Sequence, residues 1–186
     1  MTVPNGFVTH SDSVVHQWAM FRLIRRVVTA PAGDVFERTF VSTPGAVAMV
    51  AVTDSGQVVL VSQYRASFDS LVREIPAGMR DIEGEAPELT AVRELKEETG
   101  YSGSTVELLG TCLSSPGVTD SSVEVYLVTG LKEGSPEPHG PEEAMMTVEH
   151  VSFARALEMV DSGEITDAKT SYGLLLAARR HPHLVR

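Results

Sequence analysis

Pro87-Glu88-Leu89-Thr90-Ala91-Val92-Arg93-Glu94-Leu95-Lys96-Glu97-Glu98-Thr99-Gly100 is the stretch on which the reading of this chain turns. Its proline suits a first helical position and its glycine the left-handed residue just past a helix end, so one helix is predicted between them. At ~100° per residue, Glu94, Glu97 and Glu98 fall within an arc of about 100°, while Ala91, Val92 and Leu95 occupy another. One face can pack on a core while the other presents three carboxylates together. Carboxylates so placed raise one another's pKa unless a cation sits among them. Hard oxygen ligands on adjacent helical turns suit Mg²⁺ or Mn²⁺, which keep several waters and bind substrate phosphates in the remaining positions. Taken alone, the run reads better as a solvated face with Arg93 and Glu97 as an i,i+4 pair. An EF-hand does not fit, because its ligands alternate along a loop.

Moving upstream, Glu74-Ile75-Pro76-Ala77-Gly78 and a short acidic loop precede the helix, and Glu74 to Tyr101 together hold eight carboxylates. Glu85, seven residues, then Arg93-Glu94-Leu95-Lys96-Glu97-Glu98-Thr99-Gly100-Tyr101 resemble the second half of the Nudix box at every position. Six residues separate Gly78 from Glu85 where that signature has five. An extra loop residue leaves the helical ligand spacing untouched, so it reads as a tolerated insertion. Pro44-Gly45-Ala46-Val47, Gln63-Tyr64-Arg65, Glu74-Ile75-Pro76-Ala77-Gly78 and Ser115-Pro116-Gly117 are similar to phrases of the ADP-ribose pyrophosphatases, a likeness that runs from about Arg22 to the last helix. Neighbouring hydrolases of nucleoside diphosphate sugars share them. On its own, Gln63-Tyr64-Arg65 would be an ordinary strand end and Ser115-Pro116-Gly117 an ordinary turn.

Over the rest of the chain, 186 residues with 42% hydrophobic content can bury a substantial core. The net charge of −10 is scattered, which argues against nonspecific binding to nucleic acid or anionic membrane. An acidic protein handling a phosphate substrate needs a cation at the site. The one cysteine, Cys112, excludes an internal disulfide framework and fits a reducing cytoplasm; set in an apolar run, it reads as a small filler. The polar start does not read as a signal peptide, and no apolar run approaches membrane-span length. Residues 1–18 are expected to be a loosely ordered lead-in. Strands are expected at Met20–Val28 and Val35–Val41, joined by the turn chemistry of Pro31-Ala32-Gly33-Asp34. Gly45–Val52 reads as a strand covered on both faces, with Val58–Tyr64 as its hairpin partner across Asp54-Ser55-Gly56-Gln57. Leu71–Glu74 leads into the loop before the helix, and Thr105–Leu113, Val123–Leu131 and Met145–Val151 are further strands, with a loop at Ser114–Ser122 and another at Glu133–Glu143. Ser152 and Asp167 are expected to cap helices through Val160 and Arg180. The interleaving predicts an α/β fold, an α/β/α sandwich around a mixed sheet, and the Nudix resemblance implies the same architecture.

The resemblance further implies a division into 1–42, N-terminal strands that exchange contacts in a homodimer, and 43–186, a Nudix hydrolase domain. It implies metal ligation by Glu94, Glu98 and the Ala77 carbonyl, with Glu97 completing or bridging the cluster. Arg93 is expected to tie the loop to the helix, and Glu85 to tether that loop. Gly78 would let the backbone approach a phosphate, Met79 would line a ribose pocket or fill the core, and Arg65 would hold diphosphate oxygens. Arg25, Arg26 and Phe21 either reach a dimer-related site or are ordinary surface residues. The general base is placed on the later loop, at Glu142 or, as alternate, Glu143. Relatives often have glutamate where this chain has Ser121 in Pro116-Gly117-Val118-Thr119-Asp120-Ser121, so Asp120 or Ser121 is left to bond a ribose hydroxyl. His139, His150, His181, His183 and Trp18 read as surface, loop or packing residues. The implied activity is Mg²⁺-dependent hydrolysis of ADP-ribose to AMP and ribose 5-phosphate. The alternatives are the same chemistry on another nucleotide sugar such as GDP-mannose, and a non-catalytic nucleotide-binding module. An isomerase of isopentenyl diphosphate, another activity on this fold, uses a catalytic cysteine, whereas Cys112 lies in an expected strand far from the box.

Overall fold

The computed structural model describes residues 6–137 and 139–185, which form two compact units. The larger comprises residues 46–112 and 123–186. Its centre is a four-stranded sheet in the order β7 (Ala77–Met79), β4 (Ala46–Ala51), β9 (Ser122–Lys132), β8 (Ser102–Leu113). β4 runs parallel to β9 and antiparallel to β7, so the sheet is mixed as expected. Alternation along the strands divides the core. Val47, Met49, Ala51, Tyr126 and Val128 pack with Ala91 and Leu95 of α1 (Pro87–Thr99). Ala48, Val50, Val52, Val125 and Leu127 pack on the other side with Phe153, Ala156 and Met159 of α3 (Phe153–Asp161) and Leu174 and Ala177 of α4 (Ala168–Arg180). Burying a side chain such as Leu95 stabilises by about 1.5–3 kcal/mol. That burial fixes which face of α1 is left for its carboxylates.

Helix boundaries follow the expected chemistry. Pro87 opens α1, where its missing N–H costs no hydrogen bond, and Gly100 closes it at φ 79° with its N–H donating to the Lys96 carbonyl. Ser152 Oγ accepts from the Arg155 N–H at 3.1 Å, and Asp167 Oδ2 accepts from the Thr170 N–H at 2.9 Å. A second sheet, β10 (Thr147–Ser152), β5 (Gln57–Arg65), β6 (Ser70–Glu74), completes this unit. Here the structure corrects the expected hairpin. β4 and β5 meet only at the Val52–Val58 bridge, and β5 then pairs antiparallel with β10 and β6. The turn forms, with Thr53 N–H donating to Gln57 O and Gly56 N–H to Thr53 O. Beyond it β5 has core on both sides, Val59 with the α1 cluster and Val58 and Leu60 with the opposite one, so it departs into a sheet of its own.

The smaller unit is the antiparallel sheet β1 (Val8–Trp18), β2 (Phe21–Thr29), β3 (Val35–Ser42) with the segment Leu113–Ser122. Thr119 is bridged to Val41, and the Asp120 N–H donates to the Val41 carbonyl. The expected loosely ordered lead-in is corrected: most of it is β1, paired with β2 from Val8↔Thr29 to Trp18↔Phe21. Its first five residues lie outside those described. The turn uses Ala19 at φ 45°, a left-handed conformation that alanine rarely adopts, so no Gly or Asn marked the hairpin. Among the described residues, Ile24 is the only buried apolar side chain of this unit, while Val14, Val15, Trp18, Met20, Val35 and Val118 are exposed. No helix among the described residues is long and apolar enough to cross a membrane.

Candidate active site

Two consecutive residues of β7 meet two carboxylates of α1. The Ala77 N–H donates to Glu98 Oε2 at 3.0 Å. Above Gly78 lies the Glu94 side chain, and a Cβ at that glycine would overlap its carboxylate. Gly78 therefore makes room for an expected metal ligand, a nearer use of its missing side chain than approach to a phosphate. Met79 follows, half-buried and paired with Ala46. One turn and two turns along the helix, Glu94, Glu97 and Glu98 share the face opposite Ala91 and Leu95 because of the spacing read from the sequence.

Arg93 is the cation of the cluster. It donates through Nη1 to Glu94 at 2.8 Å and to Glu97 at 3.2 Å. Through Nε and Nη2 it holds both oxygens of Glu85, at 3.2 and 3.0 Å, and Nη2 also reaches Asp81 at 3.3 Å. Glu85 additionally accepts from the Thr90 hydroxyl. This is the tie between loop and helix that Arg93 and Glu85 were expected to make. No cation among the described residues bridges Glu98, which is 7% exposed. Burial pushes its carboxyl up to about 8, against the Ala77 hydrogen bond, and the neighbouring Glu94 and Glu143 charges push the same way. Burial likewise pushes Glu94 up to about 7, opposed by Arg93.

Two desolvated carboxylates above their ordinary range need protons or a cation. Among the described residues no three acidic or imidazole side chains converge on one point as they stand, because Glu94 and Glu97 turn toward Arg93. The donor set is all hard oxygen, under-compensated at Glu98, and it fits a divalent cation that would displace protons and share Glu94 and Glu97 with Arg93.

Arg65 stands at the end of β5 with Nε and Nη2 each 2.7 Å from Glu74, a carboxylate 3% exposed. Lys169 of α4 also bridges Glu74 and lies 3.0 Å from Asp167. Burial raises Glu74, but Arg65 and Lys169 together hold it below the usual carboxylate range. Next in sequence, the Ile75 N–H donates to Thr170 Oγ1 at 2.8 Å. The start of α4 therefore fastens the strand leading into Ala77 and Gly78. These Glu74, Lys169 and Thr170 roles carried no sequence signal, since 95 residues separate Glu74 from Lys169. Arg65 keeps Nη1 for another partner, and its guanidinium is close enough for its charge to act on Glu98.

The Glu133–Glu143 segment docks on the last turn of α1. Glu142 and Glu143 sit on a four-residue helix, α2 (Pro141–Ala144). Glu143 accepts from the His139 N–H, and its charge adds to burial in raising Glu98; at Tyr64 the hydrogen bond to Asp69 is the main upward push, with burial and then the Glu142 charge adding to it. The His139 ring lies 3.7 Å from Glu97, a proximity its loop setting did not reveal.

In the smaller unit, Asp120 Oδ1 accepts from the Thr43 N–H at 2.9 Å, and the Ser121 N–H donates to Thr119 Oγ1 at 3.1 Å. Both residues line a pocket of about 490 Å³ with Arg26, Arg38, Phe40 and Pro116. The Arg26 guanidinium stands 5.0 Å over the Phe40 ring and is held by both oxygens of Asp12. A planar ring flanked by guanidinium and carboxylate can take a nucleoside or a ribose. Arg38 and Phe40 had no motif to single them out.

Residues 42–171 match the model of the NUDIX domain. The chain is 44% identical over 172 residues to an ADP-ribose pyrophosphatase of Mycobacterium tuberculosis, covering 92% of this chain and 83% of the relative. It is 40% identical over 147 residues to an ADP-ribose pyrophosphatase of Bacillus subtilis, 79% of each. A GDP-mannose pyrophosphatase of Salmonella typhimurium is 32% identical over 148 residues, 76% of this chain and 75% of that one. The crystal structure of an ADP compounds hydrolase superposes with a TM-score of 0.83 at 20% identity over 95% of both chains, a likeness of fold.

Proposed function

This chain belongs to the NUDIX family, and on that premise we propose that it hydrolyses the diphosphate of ADP-ribose to AMP and ribose 5-phosphate. The observation that carries the reading is buried Glu98, bonded by the Ala77 N–H with no cation among the described residues bridging it, beside half-buried Glu94, which packs over Gly78 and shares Arg93. A nucleotide-binding module without catalysis has no use for two such carboxylates.

Glu94, Glu98 and the Ala77 carbonyl would hold Mg²⁺, or Mn²⁺, with Glu97 completing the set. Bound there, divalent ions polarise the diphosphate and lower the pKa of an attacking water. This chain's residues do the rest. Arg65 offers Nη1 to a phosphate oxygen from a guanidinium already oriented by Glu74. Glu143 receives the proton of the water as its oxygen bonds to phosphorus and the bridging P–O bond breaks, leaving the bridging oxygen on the second phosphate. Gly78 and Met79 would flank the phosphate and terminal ribose, and Asp120 and Ser121 are the smaller unit's candidates for bonding a ribose hydroxyl.

Incubation with Mg²⁺ and ADP-ribose, beside GDP-mannose and ADP-glucose, tests this. AMP is expected chiefly from ADP-ribose. A kcat/KM ranking led by another sugar would retain the chemistry and transfer specificity to Ser121. Ligand binding without cleavage of any of them would overturn the hydrolase reading.

A homodimer through residues 1–42 is part of the proposal, with residues 43–186 carrying the chemistry. A three-stranded sheet with one buried apolar side chain and a row of exposed ones is poorly stable without a cover. Light scattering at micromolar concentration is expected to give twice the chain mass, and a monomer would remove this part. A reducing cytoplasm is the proposed setting, from the single unpaired cysteine.

A further inference from the structure

Residues 134–137 and His139 meet α1 at several points, and all of them fall on its last turn or just beyond. The Glu137 N–H donates to the Glu97 carbonyl at 2.9 Å, satisfying one of the acceptors a helix leaves open at its end. Lys96 Nζ donates to the Glu137 carboxylate at 2.9 Å. Gly100 admits the backbone of Gly134 to Pro136, since a Cβ there would come within 2.6 Å of the Gly134 oxygen and 2.9 Å of the Pro136 nitrogen. Farther on, the His139 ring is 3.7 Å from Glu97, and the His139 N–H donates to the Glu143 carboxylate. The chain then turns at Gly140, φ 89°, with open space around it, into α2.

We propose that Lys96 and Glu137 are positioning residues, which fasten residues 134–137 to the end of α1 so that the His139 N–H holds the Glu143 carboxylate ready to take the proton of the attacking water. This rests on the hydrolase reading with Glu143 as base. The box leaves the position of Lys96 free, and in this chain that position is the anchor of the base. The link also runs in reverse. The Glu97 side chain is held by Arg93 and its carbonyl accepts from Glu137, so a cation that drew that side chain toward Glu98 would be linked to docking of the segment.

The ion pair is exposed on both sides, so its share of folding stability is small and its loss is read in catalysis. Lys96→Glu and Glu137→Lys each set like charges opposite one another. Each is expected to lower kcat roughly five-fold or more, a factor in keeping with loss of an exposed pair plus repulsion, at unchanged KM. The double reversal Lys96→Glu/Glu137→Lys restores the pair and should return kcat to within about two-fold of the unaltered protein.

Amide hydrogen exchange supplies a readout independent of turnover. The Glu137 and His139 amides should exchange faster in each single reversal, recover in the double, and slow when Mn²⁺ is added to the unaltered protein. Single reversals that leave kcat and exchange untouched would overturn the proposal, as would a double reversal that fails to rescue. Faster exchange with rescue in a protein that cleaves no nucleotide sugar would leave the docking standing and bring down the hydrolase reading instead.

Discussion

Glu98→Gln is expected to lower turnover of ADP-ribose by roughly 10²–10³-fold, the scale on which active sites lose rate when a charge-stabilising group is removed, and yet to make the metal-free protein more stable. The two effects have one cause. Glu98 is buried with a single backbone donor, and its carboxyl sits at about 8 when folded against an ordinary 4.5. Between those values the folded protein binds more protons than the unfolded chain, so stability falls as pH rises through that window. Thermal melts of the chelated protein should therefore show a Tm that declines from pH 5 to pH 8, and a flatter profile with a higher Tm at pH 8 in Glu98→Gln. Metal binding runs the other way. A divalent ion must expel the protons that Glu94 and Glu98 retain below about 7 and 8, so affinity should rise across that range with measurable proton release by calorimetry. An amide variant that still turns over substrate, or a chelated protein whose Tm climbs toward pH 8, would contradict this account.

Glu143→Gln is expected to lower kcat by about 10²–10⁴-fold, the usual cost of losing a general base, with metal affinity and KM close to those of the unaltered protein. Glu142→Gln should stay within a few-fold of normal. The distinction comes from position. Glu143 is held by the His139 N–H and its charge helps to raise Glu98, whereas the charge of Glu142 adds to the larger effect of Asp69 on the Tyr64 hydroxyl. Removing the Glu143 charge also takes away one of the influences holding Glu98 up, so proton release on metal binding should move to lower pH in that variant. A loss carried by Glu142→Gln instead would move the base by one residue. Near-normal rates in both would remove the base from this segment.

Local chemistry made the sheet-and-helix framework readable. The ends of α1, α3 and α4 lie where Pro87 and Gly100, Ser152 and Asp167 indicated, since each terminus is set by one residue and its own neighbours. The solid apolar run at Gly45–Val52 announced a strand covered on both sides. Readings that needed a partner fared differently. Val58 follows a good turn, and nothing within that turn shows that β5 will pair with β10, 90 residues later. β1 was legible neither as a strand nor as half of a hairpin, because its turn is Ala19-Met20 and its apolar residues are sparse.

By itself the sequence determined the helix that bears Glu94, Glu97 and Glu98, their common face, and the acidic excess that calls for a cation. Those properties follow from 3.6-residue periodicity and from charge, which act within one segment. Only the tertiary structure decided that Gly78 clears the path of Glu94, that Glu74 is shared by Arg65 and Lys169, and that Leu113–Ser122 joins the N-terminal strands. It also decided that the His139 N–H bonds the Glu143 carboxylate. Each of these depends on which distant segments pack together. That choice is made by burial of the whole apolar surface at once, and no spacing along the chain encodes it.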